Sequence, residues 1–275
     1  MHKQGKDIKM TVNNLSVCYN DEGPGNAPVI IFIHGFPFNK SMWNTQVEAL
    51  ENSYRVISYD IRGHGGSDEG EEVYSIELFV DDLICLMDAL KIENAILCGF
   101  SLGGYIALNA IEHYPKRFNS LILCDTNCGA DTPEAKVKRM KTIVAITKNG
   151  LEKYADESIN NLFAPESFLT IKEEIANVRA MIIKTSKESV CNTLHALSVR
   201  LDTCDTLPEI KVPVLIMVGK KDKITPPSVA QIMHEKIKGS FLHIISHAGH
   251  LSNIENPYDF NEQLRTFVES VYKKK

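Results

Sequence analysis

Residues 95–104 read Ala-Ile-Leu-Cys-Gly-Phe-Ser-Leu-Gly-Gly and join a short apolar run to a helical pattern that continues up to Pro115. The apolar run is typical of a buried strand. Ser101 therefore lies on a sharp turn from strand to helix, with Gly99 and Gly103 two positions to either side. A larger residue at either glycine would clash with the backbone of such a turn, and the turn aims the serine hydroxyl outward at the helix N-terminus. We predict from this pattern that Ser101 is a nucleophile.

Other apolar runs extend this unit into an alternating chain. An opening antiparallel pair is predicted first, and the later runs lack polar alternation, so we expect them to be strands buried on both faces. Helical patterns lie between them, including one with Ser75 as its N-cap and one over 257–271. The alternation predicts a mostly parallel sheet flanked by helices. The predicted strands are 8–12, 15–19, 29–33, 55–59, 95–98, 120–124, 214–218 and 242–245.

Residues 131–206 interrupt this alternation, because they contain helical patterns and no strand-like run. We predict that 131–206 form a helical cap over the carboxyl ends of the strands, and that 1–130 and 207–275 form the core. The apolar content of these helices predicts a mostly apolar pocket lining, to which only a minority of the apolar side chains can contribute. The apolar residues in question are Val144, Ile146, Leu162, Phe163, Phe168, Met181 and Leu194.

A serine hydroxyl is a weak nucleophile and needs a base beside it. Asp222 follows the predicted strand 214–218, and His250 follows the last strand. The order serine, acid, histidine is the one that a nucleophile elbow requires. Because ligands bind at the carboxyl ends of parallel strands, all three side chains are expected at one edge of the sheet. We predict Ser101 as nucleophile, His250 as general base and Asp222 as the acid that orients the imidazole.

Each of these partners has an alternative. His247 could also be the base, but it lies closer to the strand end than His250, which follows the flexible Gly249. Asp125, after the strand 120–124, is a second candidate acid in a neighbouring loop. Its position also fits a polar residue at the hinge of the cap, and this interpretation is favoured.

Backbone donors for an oxyanion are predicted in two places. One is the N–H of Leu102, directly after the nucleophile. The other is the N–H of Phe36 in the loop after the strand 29–33, because Pro37 has no N–H to donate. His34 is interpreted as a structural brace of this loop. The glycine-rich segment 60–67 lacks a phosphate-binding pattern and is interpreted as a turn that supports the oxyanion loop.

Composition excludes several classes of function. The chain has 275 residues, 44% of them hydrophobic, and a formal net charge of −5. This length fits one large α/β domain. The acidic balance argues against a nucleic-acid surface, and the lysine triplet 273–275 is expected to be a solvated tail. No stretch approaches the roughly 18 apolar residues of a membrane span, so we expect no membrane partner.

Seven cysteines are present, and most of them lie within apolar runs. An odd number in such positions favours reduced thiols over a disulfide framework, and therefore predicts a cytoplasmic protein. The N-terminal ten residues lack the apolar stretch of a secretory signal. Cys124 and Cys128 are the closest pair, and nothing after them has zinc-ligand spacing, so no metal site is predicted.

Five segments resemble, in order, those of the α/β-hydrolase superfamily: HGFP, DIRGHGGSD, GFSLGG, GKKDKITPP and HAGHLSNIENP. The last two, with the residues before them from 201, are similar to the branch of 3-oxoadipate enol-lactonases and related carboxylesterases. This resemblance implies an α/β-hydrolase fold, no cofactor, and a Ser-Asp-His set on Ser101, Asp222 and His250. In the cap, Arg139, Gly150 and Phe163 fall about where such lactonases place similar residues.

The predicted function is hydrolysis of a small carboxylic ester or lactone through an acyl-enzyme intermediate. The alternatives are a C–C bond hydrolase, a cofactor-free haloperoxidase, or a ligand-binding or receptor protein on the same fold. The intact Ser-His-Asp set favours an enzyme. An anionic substrate would require a cation in the pocket, and the candidates are Arg139, Arg179, Arg200 and His195.

Overall fold

The sheet is built from the apolar runs that the sequence analysis identified as strands. The computed structural model describes residues 4–272, so the lysine triplet 273–275 lies outside the described residues. Within 4–272, the strands are β1 Gly5–Val12, β2 Leu15–Glu22, β3 Val29–Ile33, β4 Arg55–Tyr59, β5 Ala95–Phe100, β6 Phe118–Cys124, β7 Val214–Gly219 and β8 Phe241–Ile245. These eight strands form one sheet in the order β1-β2-β4-β3-β5-β6-β7-β8.

Strand direction brings the functional loops to one edge. β1 and β2 pair antiparallel, β2 also pairs antiparallel with β4, and all pairs from β4 to β8 are parallel. In the register of the parallel part, Phe100 faces Cys124, Cys124 faces Met217, and Gly219 faces Ile245. The residues that follow β5, β6, β7 and β8 therefore emerge side by side.

One strand differs from the prediction. β8 was expected to be buried on both faces, but Phe241 is 57% and Ile244 43% exposed. The reason is its position at the end of the sheet, with a neighbouring strand on one side only. Whether a strand lies at the edge of the sheet depends on the order of the strands, and the strand's own sequence does not encode that order.

Helices cover the sheet and also form a segment of their own. The helices that flank the sheet are α1 Asn44–Leu50, α2 Ile76–Ala89 and α3 Leu102–His113, followed later in the chain by α9 Pro227–Lys236, α10 Ser252–Glu255 and α11 Pro257–Tyr272. Between β6 and β7 lie α4 Pro133–Asn149, α5 Glu152–Leu162, α6 Ser167–Thr170, α7 Lys172–Lys184 and α8 Lys187–Val199. Ser75 caps α2 as predicted, because its Oγ accepts the N–H of Leu78 at 3.1 Å.

The segment between β6 and β7 contains no strand among its described residues. The helical patterns expected in this segment are present, and the short α6 adds a single turn, which is too short to show a period in the sequence. Ile146 of α4 packs with Leu151, Val190 and Leu194 in a small hydrophobic cluster within this segment. Much of α4 otherwise faces solvent, and Val144 is 65% exposed.

A disulfide joins the two ends of this helical segment. Cys128 and Cys204 are bonded across 76 residues of sequence, so the prediction of reduced thiols is wrong for this pair. Backbone contacts accompany the bond: the N–H of Thr203 donates to the carbonyl of Cys128 at 2.9 Å. Spacing along the chain did not reveal the pairing, because the fold alone brings the two positions together. Separately, none of the helices described within 4–272 is long and apolar enough to cross a membrane.

Candidate active site

Ser101 lies at the turn between β5 and α3 in a strained conformation. Its φ is 51° and its ψ is −110°, a region that residues with side chains rarely adopt. Two glycines make the turn feasible, because a Cβ at Gly99 would overlap the backbone of Gly103, and one at Gly103 would overlap the backbone of Ile33. The turn is held by the N–H of Ser101, which donates to the carbonyl of Cys124 at 2.9 Å.

Ser101, His250 and Asp222 form a continuous hydrogen-bonded chain. His250 Nε2 lies 3.0 Å from the Ser101 Oγ, and its Nδ1 lies 2.8 Å from Asp222 Oδ2. The same Asp222 oxygen accepts the hydroxyl of Thr225 at 2.7 Å. His250 and Asp222 are both buried, whereas Ser101 faces the cavity described below. The two loops that follow β7 and β8 thus meet the serine of the loop that follows β5.

The electrostatics favour an ionised Asp222. Burial alone raises the pKa of this carboxyl, but the charge of His250 and the hydrogen bonds from Thr225 outweigh the burial, and the pKa lies below its ordinary value. An ionised Asp222 holds the proton of His250 on Nδ1. The lone pair on Nε2 is then directed at the hydroxyl of Ser101.

The structure also shows where the alternative base, His247, and the alternative acid, Asp125, lie. His247 is exposed and lies beside Glu166, with 3.5 Å between Nδ1 and Oε1. Asp125 is fully buried, and its carboxyl accepts the N–H of Gly219 at 2.8 Å and the hydroxyl of Ser252 at 2.5 Å. Neither residue takes the place of His250 or Asp222 in the chain.

A metal ion could in principle use three of these side chains. Asp125, Asp222 and His250 each offer a ligand atom, and these atoms lie within 4.8 Å of one another. The atoms already have hydrogen-bond partners, since His250 contacts both Asp222 and Ser101. The donor set therefore fits a proton-transfer chain better than an ion site.

The predicted oxyanion loop is braced by His34. Its Nε2 accepts the N–H of Ile61 at 3.0 Å, so Nδ1 carries the hydrogen and donates it to the carbonyl of Gly35 at 2.8 Å. Burial lowers the pKa of His34, which keeps the ring neutral. Asp60, the residue before Ile61, accepts the backbone N–H groups of Lys40 at 2.7 Å and Gly66 at 2.9 Å. The 60–67 turn thus supports the loop.

A cavity of about 710 Å³ opens above Ser101. Phe36, Leu102 and His250 line it beside the serine. The prediction of a mostly apolar lining is confirmed, because apolar atoms form the larger part of the cavity surface, and a minority of the named residues contribute to it. Of the seven apolar residues considered, Ile146, Leu162 and Leu194 line the cavity. Val144 faces solvent instead, and the remaining three lie elsewhere in the described structure.

Basic side chains contribute much of the wall. Its acidic residues are Asp131 and Glu157, and its basic residues are Lys138, Arg139, Lys141, Lys153, Arg200 and Lys223. Asp131 is shared between two of them: Arg139 donates to both of its carboxylate oxygens, and Arg200 donates to Oδ1 at 2.5 Å. Of the cations predicted for an anionic substrate, Arg139 and Arg200 line the cavity, whereas Arg179 and His195 do not.

Sequence reasoning missed Tyr105 and Asp131 in this wall. Arg200 lies over the ring of Tyr105, with 4.4 Å from Cζ to the ring centroid, and Tyr105 also contacts the side chain of Asn127. Tyr105 follows Ser101 by four residues, one turn of α3, and this spacing is a signal that could have placed it near the serine. Nothing local marks Asp131, whose role depends on arginines from two helical segments.

The fold and site define a family. Residues 28–257 match the family model described as alpha/beta hydrolase fold, and the chain belongs to this family. It is similar to 3-oxoadipate enol-lactonase 2 of Acinetobacter baylyi, with 30% identity over 96% of each chain. Both the α/β-hydrolase fold and the branch predicted by resemblance are therefore confirmed, and the chain is a hydrolase.

Two solved structures support the assignment of the chain to this family and branch. An esterase from Thermogutta terrifontis, solved with malate bound, has a TM-score of 0.91 and 33% identity, and the match covers 96% of this chain and 98% of the esterase. The enol-lactonase from Burkholderia xenovorans LB400 has a TM-score of 0.90 and 30% identity, over 95% of this chain and 100% of the lactonase.

Proposed function

We propose that this hydrolase cleaves small carboxylic esters or lactones, with Ser101 as nucleophile, His250 as general base and Asp222 as the orienting acid. The observation that carries the proposal is the hydrogen-bonded chain whose Ser101 and His250 line the cavity, with 3.0 Å between His250 Nε2 and Ser101 Oγ. That separation is within the range for direct proton transfer. The named activities of the related lactonase and esterase support the same class of substrate.

In the proposed reaction, Ser101 Oγ bonds to the carbonyl carbon while His250 Nε2 takes its proton. Asp222 stabilises the imidazolium that results. When the tetrahedral intermediate collapses, the C–O bond to the alcohol breaks, and His250 returns the proton to the leaving oxygen. In a lactone, that oxygen remains tethered to the acyl group. A water molecule then loses a proton to His250, attacks the acyl-enzyme and releases the acid.

The oxyanion would bind to the backbone N–H groups of Leu102 and Phe36. Leu102 is the first residue of α3, and the first N–H groups of a helix have no acceptor within the helix. The positive end of the helix dipole at this position also favours an oxyanion. Phe36 lines the cavity and lies in the loop that His34 braces.

We assign the role of a cap to residues 131–206, over a core of 1–130 and 207–275. Side chains from α4, α5 and α8 line the cavity above Ser101. A cover of this kind limits the access of water and the size of the acyl and alcohol groups. The cavity volume of about 710 Å³ lies within the range for small-molecule sites.

The charge of the wall favours a substrate that carries a carboxylate. Six basic and two acidic side chains line the cavity, although the whole chain has a formal net charge of −5. Asp131 neutralises only one of the two arginines that it contacts. The related Thermogutta esterase was solved with malate, a dicarboxylate, bound.

The test compares p-nitrophenyl butyrate with the mono-p-nitrophenyl ester of succinate, which have similar size and differ in charge. We expect kcat/KM to be at least about 10-fold higher for the anionic ester, because a charge-assisted hydrogen bond contributes about 1.5–3 kcal/mol. Arg139→Ala should remove most of this preference. Arg179→Ala is the matched control, since Arg179 pairs with Asp156 away from the cavity.

Equal rates on the two esters, or a preference for the neutral one, would contradict the anionic substrate and leave a general carboxylesterase. The absence of turnover on either ester, and on a wider panel of acyl esters and lactones, would contradict hydrolysis itself and favour a ligand-binding protein on this fold.

A further inference from the structure

Asp125 is a buried carboxyl that the proposed reaction does not use. It follows β6, is 0% exposed, and has a φ of 46°. A positive φ is unfavourable for a residue with a side chain, and it persists only where the surrounding structure holds it. The contacts around Asp125 must therefore hold its backbone in this conformation.

The carboxyl of Asp125 joins the two loops that carry Asp222 and His250. Its Oδ1 accepts the N–H of Gly219 at 2.8 Å, three residues before Asp222. Its Oδ2 accepts the hydroxyl of Ser252 at 2.5 Å, two residues after His250. One side chain thus holds both loops at a fixed distance from the end of β6.

The neighbours of Asp125 hold the third loop. The carbonyl of Cys124 accepts the N–H of Ser101 at 2.9 Å. The hydroxyl of Thr126 donates to the carbonyl of Ser101 at 2.8 Å. Residues 124–126 therefore contact the loops of all three residues of the hydrogen-bonded chain.

We propose that Asp125 is a positioning residue, which ties the Asp222 loop to the His250 loop and so sets the distance between His250 Nδ1 and Asp222 Oδ2. The proposal rests on the function proposed above. The distance it controls is 2.8 Å, and a displacement of about 1 Å in an active site can cost on the order of 100-fold in rate.

The charges around Asp125 indicate which substitution preserves its contacts. The groups that face it are Asp222, Glu255, His250 and the thiol of Cys124. Burial, followed by the negative charge of Asp222, raises the pKa of Asp125 well above its ordinary value. An asparagine amide has the same shape: its oxygen can accept from Gly219, and its NH₂ group can donate to the Ser252 Oγ, which reverses that hydrogen bond but keeps the contact.

The experiment compares Asp125→Ala, Asp125→Asn and Ser252→Ala with the wild type, and uses Asp81→Ala on the exposed face of α2 as the control. We expect Asp125→Ala to lower kcat by about 10- to 100-fold with less than about a 3-fold change in KM. Ser252→Ala removes one of the two contacts of Asp125, and its kcat should lie between those of Asp125→Ala and the wild type. Asp125→Asn should keep kcat within about 5-fold of the wild type, because its amide keeps both contacts and so limits the displacement of the two loops.

Two further readouts separate positioning from general stability. The acid limb of the kcat/KM profile should move to lower pH in Asp125→Ala, because a misaligned Asp222 stabilises the imidazolium less. The downfield proton NMR signal of the His250 Nδ1–H should be present in the wild type and in Asp125→Asn, and lost or shifted upfield in Asp125→Ala. This signal tests the positioning role even in the absence of turnover.

If Asp125→Ala does not fold, Ser252→Ala decides the question. A folded Ser252→Ala with wild-type kcat and an unchanged downfield signal would overturn the proposal. A folded Asp125→Ala with the pH profile and signal of the wild type would overturn it equally.

Discussion

Ser101→Ala is expected to lower kcat for ester hydrolysis by about 10⁴- to 10⁶-fold, the loss found when the nucleophile of such a triad is removed. The physical reason is that no other hydroxyl lies against His250 Nε2 in the described structure apart from that of Ser101, at 3.0 Å. Steady-state kinetics on an activated aryl ester measures the loss.

The substitution should leave the fold unaffected, because Ser101 faces the cavity and the turn is held through its backbone. Thermal unfolding of the variant checks this expectation. Ser53→Ala, at an exposed position, is the control for serine removal and should keep the wild-type rate. A Ser101→Ala protein that retains a tenth or more of the wild-type kcat would contradict the role of Ser101.

Asp222→Asn is expected to lower kcat by about 10⁴-fold. The amide introduced by this substitution would donate to His250 Nδ1 and move the ring hydrogen to Nε2, which could then no longer accept the proton of Ser101. The low pKa of Asp222 indicates that the wild-type residue is ionised, so the substitution also removes the charge that stabilises the imidazolium.

Asp125→Asn is the matched control for this change, since both residues are buried carboxyls in neighbouring loops. Asp125→Asn should lower kcat far less than Asp222→Asn does. The reason is that Asp125 contacts Gly219 and Ser252 and takes no part in proton transfer between Ser101 and His250. Reversed magnitudes in the same kinetic assay would assign the acid to Asp125.

The strands were predictable because local composition determines them. A run such as 29–33 has no polar residue with which to face solvent, and all of it except Val29 is buried. Ser101, Asp222 and His250 could be brought to one edge of the sheet by the same argument, because each follows its own strand. Strand order itself was not predictable, and this explains the error at β8.

The composition of the cavity wall depends on contacts between residues that are far apart in the sequence. The rotation of α4 decides that Lys138 and Arg139 face the cavity, and Ile146 is the buried residue of this helix. A helix with so little buried surface has no clear apolar face from which its rotation could be predicted. The pairing of Cys128 with Cys204 is non-local in the same sense.

The most direct test of the account is to label the protein with a fluorophosphonate and identify the modified residue by peptide mass spectrometry. A fluorophosphonate reacts with a serine only where a base activates its hydroxyl, so the reagent reports the proposed chemistry without knowledge of the substrate. We predict a single adduct on Ser101, its loss in Ser101→Ala, and much slower labelling of Asp222→Asn. An adduct on another serine, or no adduct on a folded protein, would contradict the account.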